Sequence, residues 1–231
     1  MNLLSVNVAV SESINVGGRK RKTGIFKQPR DGRVQVNFLG LEGDLICNRK
    51  HHGGPDQAVY AYSDEDYQFW SNDLGRSLAP GTFGENFTTS GVDLNALCVG
   101  DIFEIGETKL QVTAPRIPCG TLSAIMKQKD FARKFKTVNR SGAYFRVLSE
   151  GYVIQGEAIH LLKYEGDRVS LPTFFSDLGR DLSENEIKRY LRLPIDSRSR
   201  DKFENKLDNI LLVKNTGETD ARETYSDNGW K

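Results

Sequence analysis

The run Ile102-Phe103-Glu104-Ile105-Gly106-Glu107-Thr108-Lys109-Leu110-Gln111-Val112-Thr113 decides the fold. Apolar and polar side chains alternate on both sides of the Gly106-Glu107-Thr108 turn, as in two antiparallel strands that each bury one face. The same period of two extends outward. Upstream, Val34, Val36 and Phe38 alternate with Gln35 and Asn37, and Ala58-Val59-Tyr60-Ala61-Tyr62 is a fuller apolar run. Downstream, Tyr144 to Leu148 and Val153-Ile154 continue the pattern. Residues 1–10 read as a strand with Val6, Val8 and Val10 on one face; they lack the basic n-region and long apolar core of a signal peptide. Short strands separated by glycine turns predict a closed or sandwiched sheet.

Helical signals interrupt the strands. Ser63, with Asp66 three residues on, opens a helix through Tyr67 and Trp70. A second is expected from Pro118 to about Phe135, carried by proline in the first turn and by Leu122, Ile125 and Met126. After residue 165 the period changes. Leu171 to Leu178 reads as a short helix. Ser183-Glu184-Asn185-Glu186 is a capping box ahead of Ile187, Tyr190 and Leu191, Pro194 ends that helix, and a third spans Arg198 to Leu212. The organisation predicted is a mostly-β (α+β) domain over residues 1–165, a three-helix unit over 168–212 and a polar tail over 213–231.

Composition excludes several classes. A chain of 231 residues, 38% of them hydrophobic, suits one medium domain or one domain plus a small appendix. The net charge of +1 gives no global field for nucleic acid or for a membrane surface. No apolar run reaches the roughly 18 residues of a spanning helix. Three cysteines without a CxxC pair argue against a metal finger and suit a reducing compartment, with cytoplasm as the default. Nothing in the pattern signals an oligomeric state.

Four stretches carry possible chemistry. In Ala114-Pro115-Arg116-Ile117-Pro118-Cys119-Gly120 the chain leaves a strand and enters a helix. Cys119 there lies beside unsatisfied amides and near the charge of Arg116, an environment that favours the thiolate, the nucleophilic and metal-binding form. The alternative is a buried, inert small hydrophobe. Cys98 reads as core. His51-His52-Gly53-Gly54-Pro55-Asp56 is a tight loop whose amides can approach an anion, or a turn whose histidines bond locally; with His160 as the one further histidine, a conventional zinc site is not expected. Gly17-Gly18-Arg19-Lys20-Arg21-Lys22-Thr23-Gly24 is a basic, glycine-flanked loop. It lacks the order of a phosphate-binding P-loop, and reads as a phosphate clamp or as a solvated face. Gly81-Thr82-Phe83-Gly84-Glu85-Asn86-Phe87 marks a closely approached loop or a bulge.

Together these stretches resemble the MOSC family, named for the C-terminal domain of molybdenum cofactor sulfurases, and within it the bacterial YiiM type. The residues that carry the resemblance are Lys22-Thr23-Gly24-Ile25, Gly40-Leu41-Glu42-Gly43-Asp44, His52-Gly53-Gly54-Pro55-Asp56-Gln57-Ala58-Val59-Tyr60, Gly84-Glu85-Asn86 and Pro115-Arg116-Ile117-Pro118-Cys119. The likeness runs from about residue 4 to 165, and the tail resembles the family's three-helix domain.

The resemblance implies a MOSC-type β-barrel and a molybdenum cofactor, molybdopterin with its metal, to which Cys119 supplies the protein sulfur. Pyridoxal phosphate binding is a further family-level association. Lys22 and Thr23 match a pair that holds the cofactor's phosphate or pterin, and Asn86 matches an asparagine that approaches it. Related amidoxime-reducing enzymes carry an arginine where this chain has Gly84; Arg116, Arg30, His51 or His52 are the candidates to replace it. The implied activity is reduction of N-hydroxylated compounds, such as 6-hydroxylaminopurine and other hydroxylamines, to amines. Electrons would come from an external flavin reductase using NADH or NADPH. Phe83, Phe87 and Tyr60 are either core or a stack for a purine-like substrate. The alternatives are a cofactor carrier without turnover and a sulfur carrier with a persulfide on Cys119.

Overall fold

The computed structural model describes residues 1–9, 12–47 and 53–216. Its elements are, in order, β1 (Asn2–Ala9), β2 (Glu12–Val16), β3 (Arg19–Thr23), β4 (Lys27–Pro29), β5 (Val34–Asn37), β6 (Gly40–Leu41), β7 (Val59–Ser63), α1 (Asp64–Leu74), β8 (Phe87–Ser90), β9 (Ile102–Ile105), β10 (Thr108–Pro115), α2 (Gly120–Met126), α3 (Phe131–Val138), β11 (Ala143–Ser149), β12 (Gly151–Val153), β13 (His160–Leu162), α4 (Leu171–Asp177), α5 (Glu184–Leu191) and α6 (Ser197–Thr216). Helix and strand take near-equal shares, about 32% and 30%, so the class is α+β.

One eight-stranded sheet runs β13-β9-β10-β11-β7-β8-β1-β4. Its pairs are antiparallel except β7–β8. The hairpin that opened the sequence reading is β9–β10: Ile105 pairs with Thr108, and Gly106 takes the positive φ (+56°) that a two-residue turn needs. The stretch just before β13 folds back onto β1. Leu3 N–H donates to Glu157 O (2.9 Å), Gly156 N–H to Leu3 O (2.7 Å) and Ile159 N–H to Met1 O (2.9 Å). These bonds join distant parts of the sheet into a barrel-like closure.

β7 explains the fuller apolar run. All five of its residues are buried, because both faces are covered. Val59 and Ala61 point into the barrel core with Leu3, Phe103, Val112 and Phe145. Tyr60 and Tyr62 point outward into an aromatic cluster with Tyr67, Trp70, Phe83, Phe131 and Phe135 beneath α1, α2 and α3. Ser63 caps α1, its hydroxyl accepting from Asp66 N–H (3.1 Å). Val6 and Val8 share the buried face of β1; Val10 lies outside the described residues.

Two expectations need correction. The single helix from Pro118 to Phe135 is two helices, α2 and α3. Leu122 and Met126 repeat at four, as do Phe131 and Phe135, but the step of five between the pairs would turn the apolar stripe of an unbroken helix by about 140°. The chain breaks at Lys127, in left-handed conformation (φ +56°), and both pairs then face the aromatic cluster. The basic stretch at 17–24 is not a loop. It forms the β2–β3 hairpin, with Gly17 and Gly18 at the tip, both at positive φ.

The three tail helices form, with the capping box at Ser183 and Glu186 complete, but α6 runs Ser197–Thr216 and takes in residues 213–216 of the expected polar tail. Phe174, Ile187, Tyr190 and Phe203 belong to the same hydrophobic cluster as the barrel interior. Polar ties run alongside: Arg146 donates to the carbonyls of Pro194 (3.2 Å) and Ile195 (2.8 Å). Among the described residues no helix is long and apolar enough to cross a membrane. Residues 217–231, the end of the predicted polar tail, lie outside the described residues.

The break at Lys127 yields a prediction. A residue with a Cβ loses about 1–2 kcal/mol in the left-handed region, and glycine gives back roughly 0.5–1 kcal/mol through its freer unfolded chain. Lys127→Gly should therefore raise unfolding stability by about 0.5–1 kcal/mol in urea titration; a lower midpoint would contradict the strain assigned to this turn.

Candidate functional site

The strand-to-helix junction after β10 sets the floor of a cleft. Pro115 is the last residue of the strand, Arg116 to Pro118 lie outside helix and strand, and Cys119, extended, is the residue before α2, with its own side chain making no cap bond. Cys119 is half-buried and lines the cleft, as does Arg116, which is 4% exposed. The guanidinium lies 5.1 Å above the Tyr60 ring. Its Nη1 atom has no hydrogen-bond acceptor among the described residues. Burial pulls Arg116 toward losing its proton, but Tyr60, Tyr144 and Cys119 together outweigh that and hold it above its ordinary value. Burial also pushes the Tyr60 and Tyr144 hydroxyls upward, so both stay neutral. Tyr60 donates to Ser141 O (2.9 Å), which fixes the ring beneath the arginine.

The β2–β3 hairpin forms one wall. It leans on the start of α2, where a Cβ on Gly120 would lie 3.5 Å from Val16 Cγ1. Lys22 and Thr23, at the end of β3, thereby line the same cleft as Cys119. Thr23 Oγ1 also accepts from Ile25 N–H (3.2 Å), so the chain turns sharply there. The cleft has a free volume of about 150 Å³, and its lining includes Lys22, Thr23, Lys27, Asp44, Cys47, Gly53, Gln57, Tyr60, Gly84, Asn86, Arg116, Cys119 and Tyr144.

Lys22, Thr23, Asn86, Arg116 and Cys119 are thus brought together. His51 and His52 lie outside the described residues. Asn86 lines the cleft, but its amide is engaged by the protein. Nδ2 donates to Asn7 O (3.3 Å) and Asp44 Oδ2 (2.9 Å), and Oδ1 accepts from Tyr60 N–H (3.2 Å). What Asn86 offers a ligand is a lone pair, not a donor. Arg30 is exposed and does not line the cleft. Phe83 and Phe87 are fully buried and do not reach it, which excludes them as a stacking platform.

Sequence reasoning missed Lys27, Asp44 and Gln57 as lining residues. Asp44 and Gln57 sit inside two of the stretches that carry the family resemblance, Gly40–Asp44 and His52–Tyr60. Lys27 gives no local signal, because a lysine on a short edge strand is solvated by default. Here its side chain is 7% exposed and ion-paired with Asp44, itself 4% exposed. Burial pulls Lys27 below the ordinary lysine value, and Asp44 partly opposes this.

The loop before the cleft is tied to the tail. Asp56 Oδ2 accepts from Ser197 N–H (2.8 Å), Asp56 Oδ1 pairs with Arg146 (2.9 Å), and Arg198 Nη2 donates to Gly53 O (3.1 Å). The start of α6 thus fastens the turn that supplies Gly53 and Gln57.

The MOSC domain family matches residues 48–160. The chain is 38% identical over 161 residues to the uncharacterized protein YflK of Bacillus subtilis, covering 70% of this chain and 73% of that protein. It is 33% identical over 151 residues to protein YiiM of Escherichia coli, covering 64% of this chain and 67% of that protein. It is 32% identical over 150 residues to a Gibberella moniliformis protein named reductase, covering 63% of this chain but 27% of that longer protein. The crystal structure of YiiM from Geobacillus stearothermophilus superposes with a TM-score of 0.72 at 27% identity, over 89% of this chain and 98% of that one. With this barrel and this cleft, the chain belongs to the MOSC family and has YiiM proteins as homologues in sequence and structure.

The residues present fit a molybdenum–pterin group. Cys119 offers a soft sulfur donor. Among the described residues the Nη1 of Arg116, a buried cation, has no acceptor, and Lys22 adds a second positive charge at the wall. An anionic ligand suits that set.

These contacts separate scaffold from ligand contact. Asn86→Ala leaves Asp44, Tyr60 N–H and Asn7 O short of partners in a buried setting, and should cost about 2–3 kcal/mol of unfolding stability. Lys22→Ala, at an exposed position, should cost less than about 0.5 kcal/mol. Equal losses in denaturant titration would contradict the division.

Proposed function

We propose that this protein is a molybdenum-cofactor-dependent reductase of N-hydroxylated compounds, with Cys119 as the protein ligand to the metal. The observation that supports it most is the pairing, in one cleft, of a half-buried thiol with a buried guanidinium that lacks a full set of acceptors among the described residues. When bound, the cofactor supplies two-electron chemistry at a metal held by sulfur. The reaction is R–NHOH + 2 e⁻ + 2 H⁺ → R–NH₂ + H₂O, with the N–O bond broken and the oxygen released as water. Electrons come from an external flavin reductase that uses NADH or NADPH.

The chain's own residues bind and orient. Cys119 holds the metal side. Arg116, fixed over Tyr60, and Lys22 on the hairpin meet negative charge, and Thr23 offers a hydroxyl. Tyr144 closes the inner wall with an apolar ring. The relative named reductase and the YiiM homologues support an oxidoreductase reading. Cys47, Cys98 and Cys119 are all outside disulfides, which suits a reducing compartment such as the cytoplasm.

The test is turnover. Protein loaded with molybdenum cofactor and supplied with a chemical reductant should convert 6-hydroxylaminopurine to adenine. Cys119→Ser should fold with an unchanged melting curve, retain little molybdenum and make no adenine. Loaded protein that reduces neither this base nor simple hydroxylamines would overturn the enzyme reading in favour of a cofactor carrier. A persulfide on Cys119 in metal-free protein, seen by mass spectrometry, would favour a sulfur carrier.

A further inference from the structure

We infer that Lys27 is an anion-holding residue of the cleft, on a wall where Gly84 contributes no side chain. The inference rests on the reading of this cleft as the cofactor's site. A side chain at Gly84 is strained by its backbone conformation and crowded by Ile25. Its φ is +76°, and a Cβ there would come within 2.8 Å of Ile25 Cγ1. The segment from Ile25 to Lys27 fills that space, and Gly81 packs directly on the Lys27 carbonyl. The same segment carries Lys27 to the cleft lining.

The arrangement of the Lys27–Asp44 pair explains why the lysine, rather than the carboxylate, faces a ligand. Asp44 is compensated from the protein side. Its Oδ1 accepts from Ala9 N–H (2.8 Å), and its Oδ2 accepts from Asn86 Nδ2 (2.9 Å) and from Lys27. Among the described residues the Lys27 ammonium has one acceptor, Asp44, which leaves donor capacity at a group that lines the cleft. A buried ion pair generally adds little to stability compared with an apolar pair of similar volume, so stability alone does not account for it. With Lys22 on the hairpin and Arg116 on the floor, Lys27 makes three cations lining the cleft among the described residues.

The test compares wild type with the double variant Lys27→Met/Asp44→Asn, which removes both charges and leaves the net charge unchanged. Each protein is loaded with molybdenum cofactor. Bound pterin is then counted by the fluorescence of its oxidised, released form, and the melting temperature is recorded. The double variant should melt close to wild type and retain roughly tenfold less pterin, the loss expected for one charge-assisted hydrogen bond. Equal pterin in a folded double variant overturns the role of Lys27 and leaves the cofactor reading intact. If the double variant does not fold, Asp44→Asn alone decides. It frees the lysine from its one acceptor among the described residues, and an anion in the cleft then takes over Asp44's part in keeping the side chain charged, so pterin at or above the wild-type level supports the inference and a tenfold loss overturns it. Wild type that takes up no pterin defeats the reading of the cleft and the inference together.

Discussion

Arg116 carries a permanent charge to a place where water hardly reaches it. A guanidinium stripped of solvent must find acceptors or a counter-charge, and the fold supplies only part of what is needed. The Tyr60 ring lies beneath it and neutral Tyr144 lines the same cleft, yet Nη1 is left without an acceptor among the described residues. The surroundings of the cleft follow from that incompleteness. The cations Lys22 and Lys27 stand nearby, and the Asp44 carboxylate is neutralised by Lys27 and by donors from Ala9 and Asn86. A cleft built this way favours an anionic occupant whose far end can meet a thiol.

Holding a charged side chain in such a place requires rigid neighbours, and β7 provides them. Because Val59 and Ala61 face one core while Tyr60 and Tyr62 face another, the strand is clamped from both sides. Tyr62 accepts from Trp70 Nε1 (2.7 Å) and donates to Arg140 O (2.9 Å), locking its ring. Glu85, fully buried, accepts from Tyr67 OH (2.6 Å), Gly81 N–H (2.6 Å) and Thr88 Oγ1 (2.8 Å), which pins the loop leading to Asn86. The tail helices extend the same logic. They share the barrel's core, and through Ser197 and Arg198 they hold the turn at Gly53 and Asp56.

Much of this was legible in the sequence where a single period or a local rule governs. The β9–β10 hairpin, the cap at Ser63 and the box at Ser183 each depend on residues within a few positions of one another. The convergence of Lys22, Thr23, Asn86, Arg116 and Cys119 was legible through motifs in a fixed order. What local rules cannot show is how distant segments share space. The split at Lys127 is forced by a cluster built from β7, α1 and the Gly81–Asn86 loop. Asn86 looked like a ligand contact, but the close approach of Asn7 and Asp44 engages its amide instead. Lys27 was invisible because its burial arises from the packing of residues 81–84 against β4, which no pattern around Lys27 records.

The central claim is that Cys119 meets the metal from the floor of this cleft. X-ray absorption at the molybdenum edge tests it most directly, on wild type and on whatever loaded fraction of Cys119→Ser can be recovered. The account predicts one sulfur neighbour more in wild type than in the variant. Identical sulfur shells in the two proteins would contradict it.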